Sequence, residues 1–183
     1  MKNVTVLVGS LRRESINRKL ARAIIGAAGG KLAFSFAEIG DLPLYNDDLW
    51  ASPPAAVTRF KSEIAAADAI LLVTPEYNRS LPAVLKNAVD WGSKPKGENV
   101  WAGKPVAIAG TSVGAIGAAV AQAHLRSVMI VLDAVVMGQP EVQIAWRPDL
   151  VSADGAVADP AVAGFLGGFA DRFGQWIDRV GNG

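Results

Sequence analysis

The chain contains no cysteine and only one histidine, His124, among its 183 residues. The absence of cysteine excludes disulfides, thiolate nucleophiles and cysteine-ligated zinc or iron–sulfur sites. A single histidine cannot build a histidine-rich metal site, so we expect no metal. If the protein carries out redox chemistry, a bound organic cofactor must supply it.

An excess of charge of one sign and long apolar runs are missing as well. Lys and Arg number 18 against 17 Asp and Glu, which leaves a formal net charge of +1. Such a balance creates no global field that would attract nucleic acid or an acidic membrane surface. No apolar run approaches the roughly 20 residues of a transmembrane helix, and the N-terminus enters a strand pattern without the features of a signal peptide. We therefore expect a cytoplasmic protein with no nucleic-acid or membrane partner.

Apolar runs alternate with helical spacing along the whole chain, and 51% of the residues are hydrophobic. This alternation predicts an α/β domain over residues 1–183, a doubly wound parallel sheet of five strands with right-handed crossovers. The predicted strands are 3–8, 32–37, 69–74, 106–110 and 134–137, and the predicted helices are 16–28, 55–67, 81–91, 118–131 and 162–180.

Three loops with unusual chemistry follow strands 1, 3 and 4. Ligands of such sheets bind beyond the carboxyl ends of the strands, at the point where the strand order reverses. In the order 2-1-3-4-5 that point lies between strands 1 and 3. The loops at residues 9–17, 75–80 and 111–117 would then converge on one crevice.

The first loop matches neither of the two common phosphate loops. Residues 8–17 hold one glycine, which fails G-x-G-x-x-G, and lack the closing G-K-[S/T] of a Walker A loop. Unpaired N–H groups at the start of a helix favour an anion, and the polar side chains here suit the terminal phosphate of a mononucleotide. An ordinary helix start with Ser15 as N-cap is the alternative. The polar residues of this loop are Ser10, Arg12, Arg13, Ser15 and Asn17.

The second and third loops offer groups for a planar ligand. Pro75 turns the chain out of the sheet and leaves the next backbone N–H groups free for a ligand edge. Tyr77 can stack on a ring, and Asn78 offers both a donor and an acceptor. In the third loop, the hydroxyls of Thr111 and Ser112 are followed by Gly114 and Gly117, where the backbone can closely approach a flat ligand. Each loop alone suits an ordinary connection; together they predict a ligand site.

Three motifs resemble the NADPH-dependent FMN reductase family, with the chromate and quinone reductases as the nearest branch. They are Gly-Ser-Leu-Arg-x-x-Ser-x-Asn at 9–17, Leu-Pro-Leu-Tyr-Asn-x-Asp at 42–48 and Pro-Glu-Tyr-Asn-x-Ser-x-Pro-x-x-Leu-Lys-Asn-Ala-x-Asp-Trp at 75–91. The resemblance implies a flavodoxin-like fold, non-covalent FMN and a homodimer or homotetramer. It also implies ping-pong, two-electron reduction of quinones by NADH or NADPH, with chromate, ferric complexes or azo dyes as further small-molecule acceptors.

The resemblance also implies roles for individual residues. Because hydride chemistry would take place on FMN N5, no catalytic side chain is expected. The subunit contacts would include Arg126 with Glu141, and the 42–48 loop with Trp50 would help to cover the flavin. By position in the motifs, the FMN phosphate would be held by Ser10, Arg12, Ser15 and Asn17, the isoalloxazine ring lined by Pro75, Glu76, Tyr77, Asn78 and Ser80, and its other edge closed by Thr111, Ser112 and Gly114.

Two residues and one alternative function stay open. Arg79, at a variable position of the third motif, would either meet an anionic acceptor or nucleotide phosphate as a substrate residue or point to solvent. His124 would either donate a proton to a quinone or serve packing or a subunit contact, as most histidines within helices do. The alternative function is a flavodoxin-type electron-transfer module. The near-neutral charge argues against it, because such shuttles dock through strongly acidic surfaces.

Overall fold

The apolar runs of the sequence form the strands of one parallel sheet in this computed structural model, which describes residues 1–181. All ten predicted elements are found, with ends within two residues of those expected. The strands are β1 (Lys2–Val8), β2 (Leu32–Phe36), β3 (Ala69–Thr74), β4 (Pro105–Ser112), β5 (Val135–Val136) and β6 (Val142–Ala145). The helices are α1 (Ile16–Ala27), α2 (Ala55–Ala66), α3 (Ala83–Ser93), α4 (Ala119–Val131) and α5 (Pro160–Gly181), with a 3₁₀ helix at Asp47–Ala51.

The order β2-β1-β3-β4-β5 confirms the predicted 2-1-3-4-5 topology, with every pair parallel. The predicted fifth strand is found as β5, but a sixth strand, β6, which was not predicted, follows it along β4. β5 pairs with the start of β4, and β6 pairs with its last four residues, from Ala109 to Ser112. Pro140 lies between the two strands, and proline cannot donate a ladder hydrogen bond. β6 therefore lies beside the carboxyl end of β4.

Both faces of the central strands are covered by helices, which explains why their sequences are continuously apolar. Along β1, Val6 and Val8 pack in the cluster with α1 and α5, whereas Leu7 packs in the cluster with α2 and α3. Trp91 and Trp101 are fully buried in the second cluster. Within residues 1–181, no helix combines the length and the apolarity that crossing a bilayer requires.

The long connection between β2 and α2 is anchored on α3. Asn87 accepts a hydrogen bond from the Tyr45 N–H (2.8 Å) and donates to the Pro43 carbonyl (2.9 Å), to which the Trp91 indole also donates (2.7 Å). The rings of Tyr45 and Trp50 meet Trp91 edge-on, with centroids 4.9 and 5.1 Å apart. Two of the three sequence motifs thus fold as one packing unit. The expected cover of the flavin by this loop stays a prediction.

Candidate active site

The three loops meet at the carboxyl edge of the sheet, where a cleft of about 150 Å³ opens between them. The cleft is too small for a whole mononucleotide, but its rim is exposed: Tyr77 is 48% and Val113 84% accessible. Asn78, Ser80 and Gly114 belong to the same loops. The cleft is lined by nine of the predicted site residues, Ser10, Arg12, Ser15, Asn17, Pro75, Glu76, Tyr77, Thr111 and Ser112.

The start of α1 supplies the anion-binding end of this cleft. Ser15 is the N-cap, and its hydroxyl accepts a hydrogen bond from the Arg18 N–H (3.2 Å). The first intrahelical bond runs from the Lys19 N–H to the Ser15 carbonyl, so the N–H groups before it have no helical partner. Ser10 and Ser15 are both buried, whereas Arg12 is exposed. The capped helix start and the proposed phosphate site are therefore compatible readings of the same loop.

Gly9 allows the first loop to pack directly against the second. A Cβ atom at this position would lie 2.8 Å from Cγ of Pro82 and 3.1 Å from Cδ of Pro75. The Gly9 N–H also donates to the Val73 carbonyl at the end of β3 (2.9 Å). The single glycine of the phosphate loop is thus required for contact between loops.

Asn17 joins the first loop to the third. The side chain is 1% exposed, its oxygen accepts from the Thr111 N–H (3.1 Å), and its nitrogen donates to the Thr111 carbonyl (3.0 Å). The Thr111 hydroxyl in turn donates to the Ile144 carbonyl of β6 (2.6 Å). Both residues lie at the cleft as expected, with these polar groups engaged within the protein. Their direct contact with a ligand stays a prediction.

Glu76 caps the N-terminus of α4 from the second loop. Its carboxylate accepts hydrogen bonds from the N–H groups of Val120 (3.0 Å) and Ala121 (3.1 Å). Ala118, which precedes the helix with a φ of 65°, provides no side-chain cap. Sequence reasoning missed this role. Its one signal was a predicted helix with no Ser, Thr, Asp or Asn at its start.

The second loop is a two-residue hairpin. Tyr77 and Ser80 exchange two backbone hydrogen bonds of 3.0 Å, and the residues between them, Asn78 and Arg79, have φ angles of 51° and 61°. Positive φ at both central positions is the geometry of a type I′ turn, and their N–H groups stand outside the two bonds. The Arg79 side chain is 72% exposed and lies 3.4 Å from the Glu76 carboxylate. The Ser80 hydroxyl is 3.1 Å from Nδ1 of His124.

Gly117 in the third loop serves a different contact from the one expected. Its φ is +56°, and a Cβ atom there would lie 2.4 Å from the carbonyl carbon of Gln143 in β6. Its close approach is therefore to the neighbouring strand, and an approach to a flat ligand stays a prediction. Gly114 has more room, because a Cβ atom there would have its nearest neighbour, the Ser112 hydroxyl, 3.6 Å away. The ligand contact expected of Gly114 stays a prediction.

A larger depression, of about 820 Å³, lies at the opposite edge of the sheet. Its lining is of mixed charge, and two of its residues, Lys31 and Asp171, form an ion pair of 2.6 Å. Lys2 and Leu32 place it at the amino ends of β1 and β2, whereas ligands of parallel sheets bind at the carboxyl ends. Position and chemistry therefore favour the smaller cleft.

Comparison with known proteins connects this site to a flavoenzyme family. The sequence model described as NADPH-dependent FMN reductase matches residues 2–149, which include all three loops. The chain belongs to this family. It is accordingly an oxidoreductase that uses FMN and NAD(P)H, as the motifs predict, and its flavodoxin-like fold is confirmed.

Individual relatives resemble the chain over nearly its whole length. A 2-hydroxy-1,4-benzoquinone reductase from Burkholderia sp is 49% identical over 174 residues, which are 95% of each chain. A quinone reductase from Pseudomonas putida is 47% identical over 176 residues, covering 96% of this chain and 94% of the relative. The solved structure of FerB, a flavoenzyme NAD(P)H:(acceptor) oxidoreductase from Paracoccus denitrificans, is similar with a TM-score of 0.95 at 50% identity and 98% coverage of both chains.

The cap on α4 can be tested by substitution of Glu76. Glu76→Ala should lower the free energy of unfolding by about 1–2 kcal/mol, because two helical N–H groups lose their acceptor. Glu76→Gln keeps an acceptor oxygen and should cost less than about 1 kcal/mol, the charge–dipole part. Urea denaturation of the flavin-free protein measures both values without a contribution from ligand binding. Glu63→Ala, which removes only a surface pair with Arg59, is the control. Equal losses for Glu63→Ala and Glu76→Ala would show that the cap contributes nothing.

Proposed function

We propose that this chain binds FMN non-covalently across the three loops and uses NAD(P)H to reduce quinones by two electrons. One observation carries the placement: the hydroxyls of Ser10 and Ser15, the guanidinium of Arg12 and the start of α1 line one cleft that reaches the hairpin at Tyr77. The quinone substrate class is supported by relatives named for quinone reduction at 47% and 49% identity. Chromate is a further candidate acceptor.

The residues present fit FMN at both of its ends. A dianionic phosphate suits two buried hydroxyls, one guanidinium and the free N–H groups of a helix start. The isoalloxazine ring would lie across the exposed rim beside Tyr77, since the cleft itself holds only about 150 Å³. A ring on the rim can be reached in turn by a nicotinamide and by a quinone. When bound, FMN supplies the two-electron chemistry, accepting hydride from the nucleotide and passing it to the acceptor.

The protein's own part is orientation. Ser10, Arg12 and Ser15 would bind the phosphate directly, while Asn17 would act through Thr111. Pro75, Tyr77, Asn78 and Ser80 would line the ring, with the N–H groups of the hairpin directed at its polar edge, where they stabilise negative charge. Glu76 would hold this loop against α4. Ser112 and Gly114 would close the other edge.

The apolar side chains exposed on the surface support a homodimer or homotetramer. Leu44 and Val131 are each 80% accessible, and Ile130 is 65% accessible. Ile130 and Val131 are consecutive, and association of two copies would cover their exposed side chains. Arg126 and Glu141 form an ion pair of 3.3 Å within one chain. For this pair to take part in subunit contacts, as we propose, it would also have to contact groups of a second subunit.

The proposed function is tested by the visible absorbance of the purified protein. We expect a yellow protein that releases FMN on denaturation. NADH or NADPH added without oxygen should bleach the flavin absorbance, and a benzoquinone should restore it. A colourless protein that gains no absorbance with added FMN, or a flavin that neither nucleotide bleaches, would contradict the proposal.

The phosphate end is tested by a matched pair of arginines. Arg12→Ala should weaken FMN binding by about tenfold to a hundredfold, the usual effect of losing a hydrogen bond to a charged group. Arg13→Ala removes a neighbouring exposed charge that does not line the cleft and should change affinity by less than about twofold. Quenching of FMN fluorescence by the flavin-free protein measures both. Equal weakening in the two variants would mean that only the general positive charge of the loop matters.

Arg79 is proposed to contact an anionic group of a substrate. Its guanidinium is largely exposed, and its partner Glu76 uses its other oxygen on α4. Arg79→Gln should raise the KM of the anionic substrate that it meets by about two- to fivefold, the scale of an exposed ion pair. A raised KM for NADPH alone would indicate contact with the 2′-phosphate, and raised KM values for both nucleotides would indicate contact with the pyrophosphate. A raised KM for chromate would indicate contact with the acceptor, and a neutral quinone serves as the control. Unchanged KM values for all three anions would show that the side chain only meets solvent.

A further inference from the structure

The hairpin at Tyr77–Ser80 depends on support from outside itself. Type I′ turns favour Asn followed by Gly, because both central residues must adopt positive φ. Asn78 suits the first position, but Arg79 occupies the second with a φ of 61°. A side chain there disfavours the turn. The two backbone bonds between Tyr77 and Ser80 are thus formed against a local preference.

Helix α4 supplies that support at two points, one on each side of the turn. Before the turn, the Glu76 carboxylate accepts from the N–H groups of Val120 and Ala121. After it, the Ser80 hydroxyl meets Nδ1 of His124 at 3.1 Å. Val120, Ala121 and His124 lie within five consecutive residues of α4. The hairpin therefore lies along the first turns of this helix.

We propose that His124 is a positioning residue, which holds the Tyr77–Ser80 hairpin against α4 through the Ser80 hydroxyl. The Ser80 contact thus adds to the Glu76 anchor a second one on the other side of the turn, and the two together would fix the tilt of the hairpin. The tilt matters because the free N–H groups of Asn78 and Arg79 would face the flavin ring. This inference rests on the proposed placement of FMN.

The competing role of His124 is proton donation to the reduced acceptor. The two roles can be separated by substituting asparagine at position 124. The amide of asparagine places a hydrogen-bonding atom at the same distance along the side chain as Nδ1 of histidine. His124→Asn therefore keeps the contact with Ser80 but has no group that titrates near neutral pH. His124→Leu removes both. A positioning role is restored by Asn, and a proton-donor role is not.

The experiment compares Ser80→Ala, His124→Leu, the double variant and His124→Asn with the unaltered protein. Ser127→Ala, on the exposed surface of α4 one turn further on, is the control. FMN affinity is measured by fluorescence quenching, and hairpin stability by amide exchange at Tyr77 and Ser80 in the flavin-free protein. Steady-state quinone reduction against pH supplies a third readout.

We expect Ser80→Ala and His124→Leu each to weaken FMN binding about three- to tenfold and to speed amide exchange, in line with the loss of one hydrogen bond. The double variant should be no worse than either single variant, since one contact is lost in all three. His124→Asn should restore affinity, exchange rates and kcat to within about twofold.

Three results would overturn the inference. Additive losses in the double variant would show that the two side chains act separately. A His124→Asn variant as impaired in kcat as His124→Leu, with its pH profile altered, would make His124 a proton donor. Faster exchange with unchanged FMN affinity would show that the hairpin does not position the flavin. Amide exchange is measured in the flavin-free protein, so this last result can be told apart from failure of the proposed function. Failure of the proposed function is detected by the absorbance test and by the comparison of Arg12→Ala with Arg13→Ala.

Discussion

The two hydrogen bonds between the side-chain amide of Asn17 and the backbone of Thr111 hold the functional edge of this protein together. β1 and β4 are not neighbours in the sheet, since β3 lies between them, yet these bonds join the helix after β1 to the end of β4. The amide is buried, so breaking these two hydrogen bonds would leave polar groups without any hydrogen-bond partner, at a cost of about 1–3 kcal/mol for each group. Thr111 extends the connection to β6 through its hydroxyl. The distance between the two ends of the cleft is thereby set within the protein.

The other contacts at this edge have the same character, since each joins a side chain of one element to the backbone of another. Glu76 reaches the start of α4, and Gln122 on α4 donates to the Val142 carbonyl of β6 (2.8 Å). Each contact forms within the protein itself, before any ligand binds. Because the site is ordered before the ligand binds, less conformational entropy is lost on binding. The site thus combines an ordered frame with an exposed rim.

Most of the fold could be predicted from the sequence because it depends on local patterns. Continuous apolar runs such as residues 69–74 identify buried parallel strands, and their alternation with helices dictates the architecture. The three loops could be located because parallel strands bring their carboxyl ends together. The strand β6 was missed, although Val142–Ala145 alternates between the interior and the surface, because it is short and follows a proline.

The internal partners of the site residues could not be predicted, because they are set by pairings between distant parts of the chain. Asn17 and Thr111 are 94 residues apart, and Glu76 and Val120 are 44 apart. The spacing of residues 9–17 does not distinguish an amide that binds a phosphate from one that forms hydrogen bonds to the backbone of a distant strand. Likewise, Asn87 and Trp91 stand in a motif suggestive of ligand binding but serve to anchor residues 43–45.

The break between β5 and β6 also affects how copies of this protein can associate. An open edge with a long row of unpaired N–H and C=O groups invites another sheet to add to it. Here that side of β4 is covered by strands of two and four residues, separated by residues 137–141. The opposite edge, β2, has five residues. The broken edge thus offers another sheet no continuous ladder longer than four residues, whereas β2 keeps an edge of ordinary strand length, so strand addition is favoured at β2 rather than beside β4.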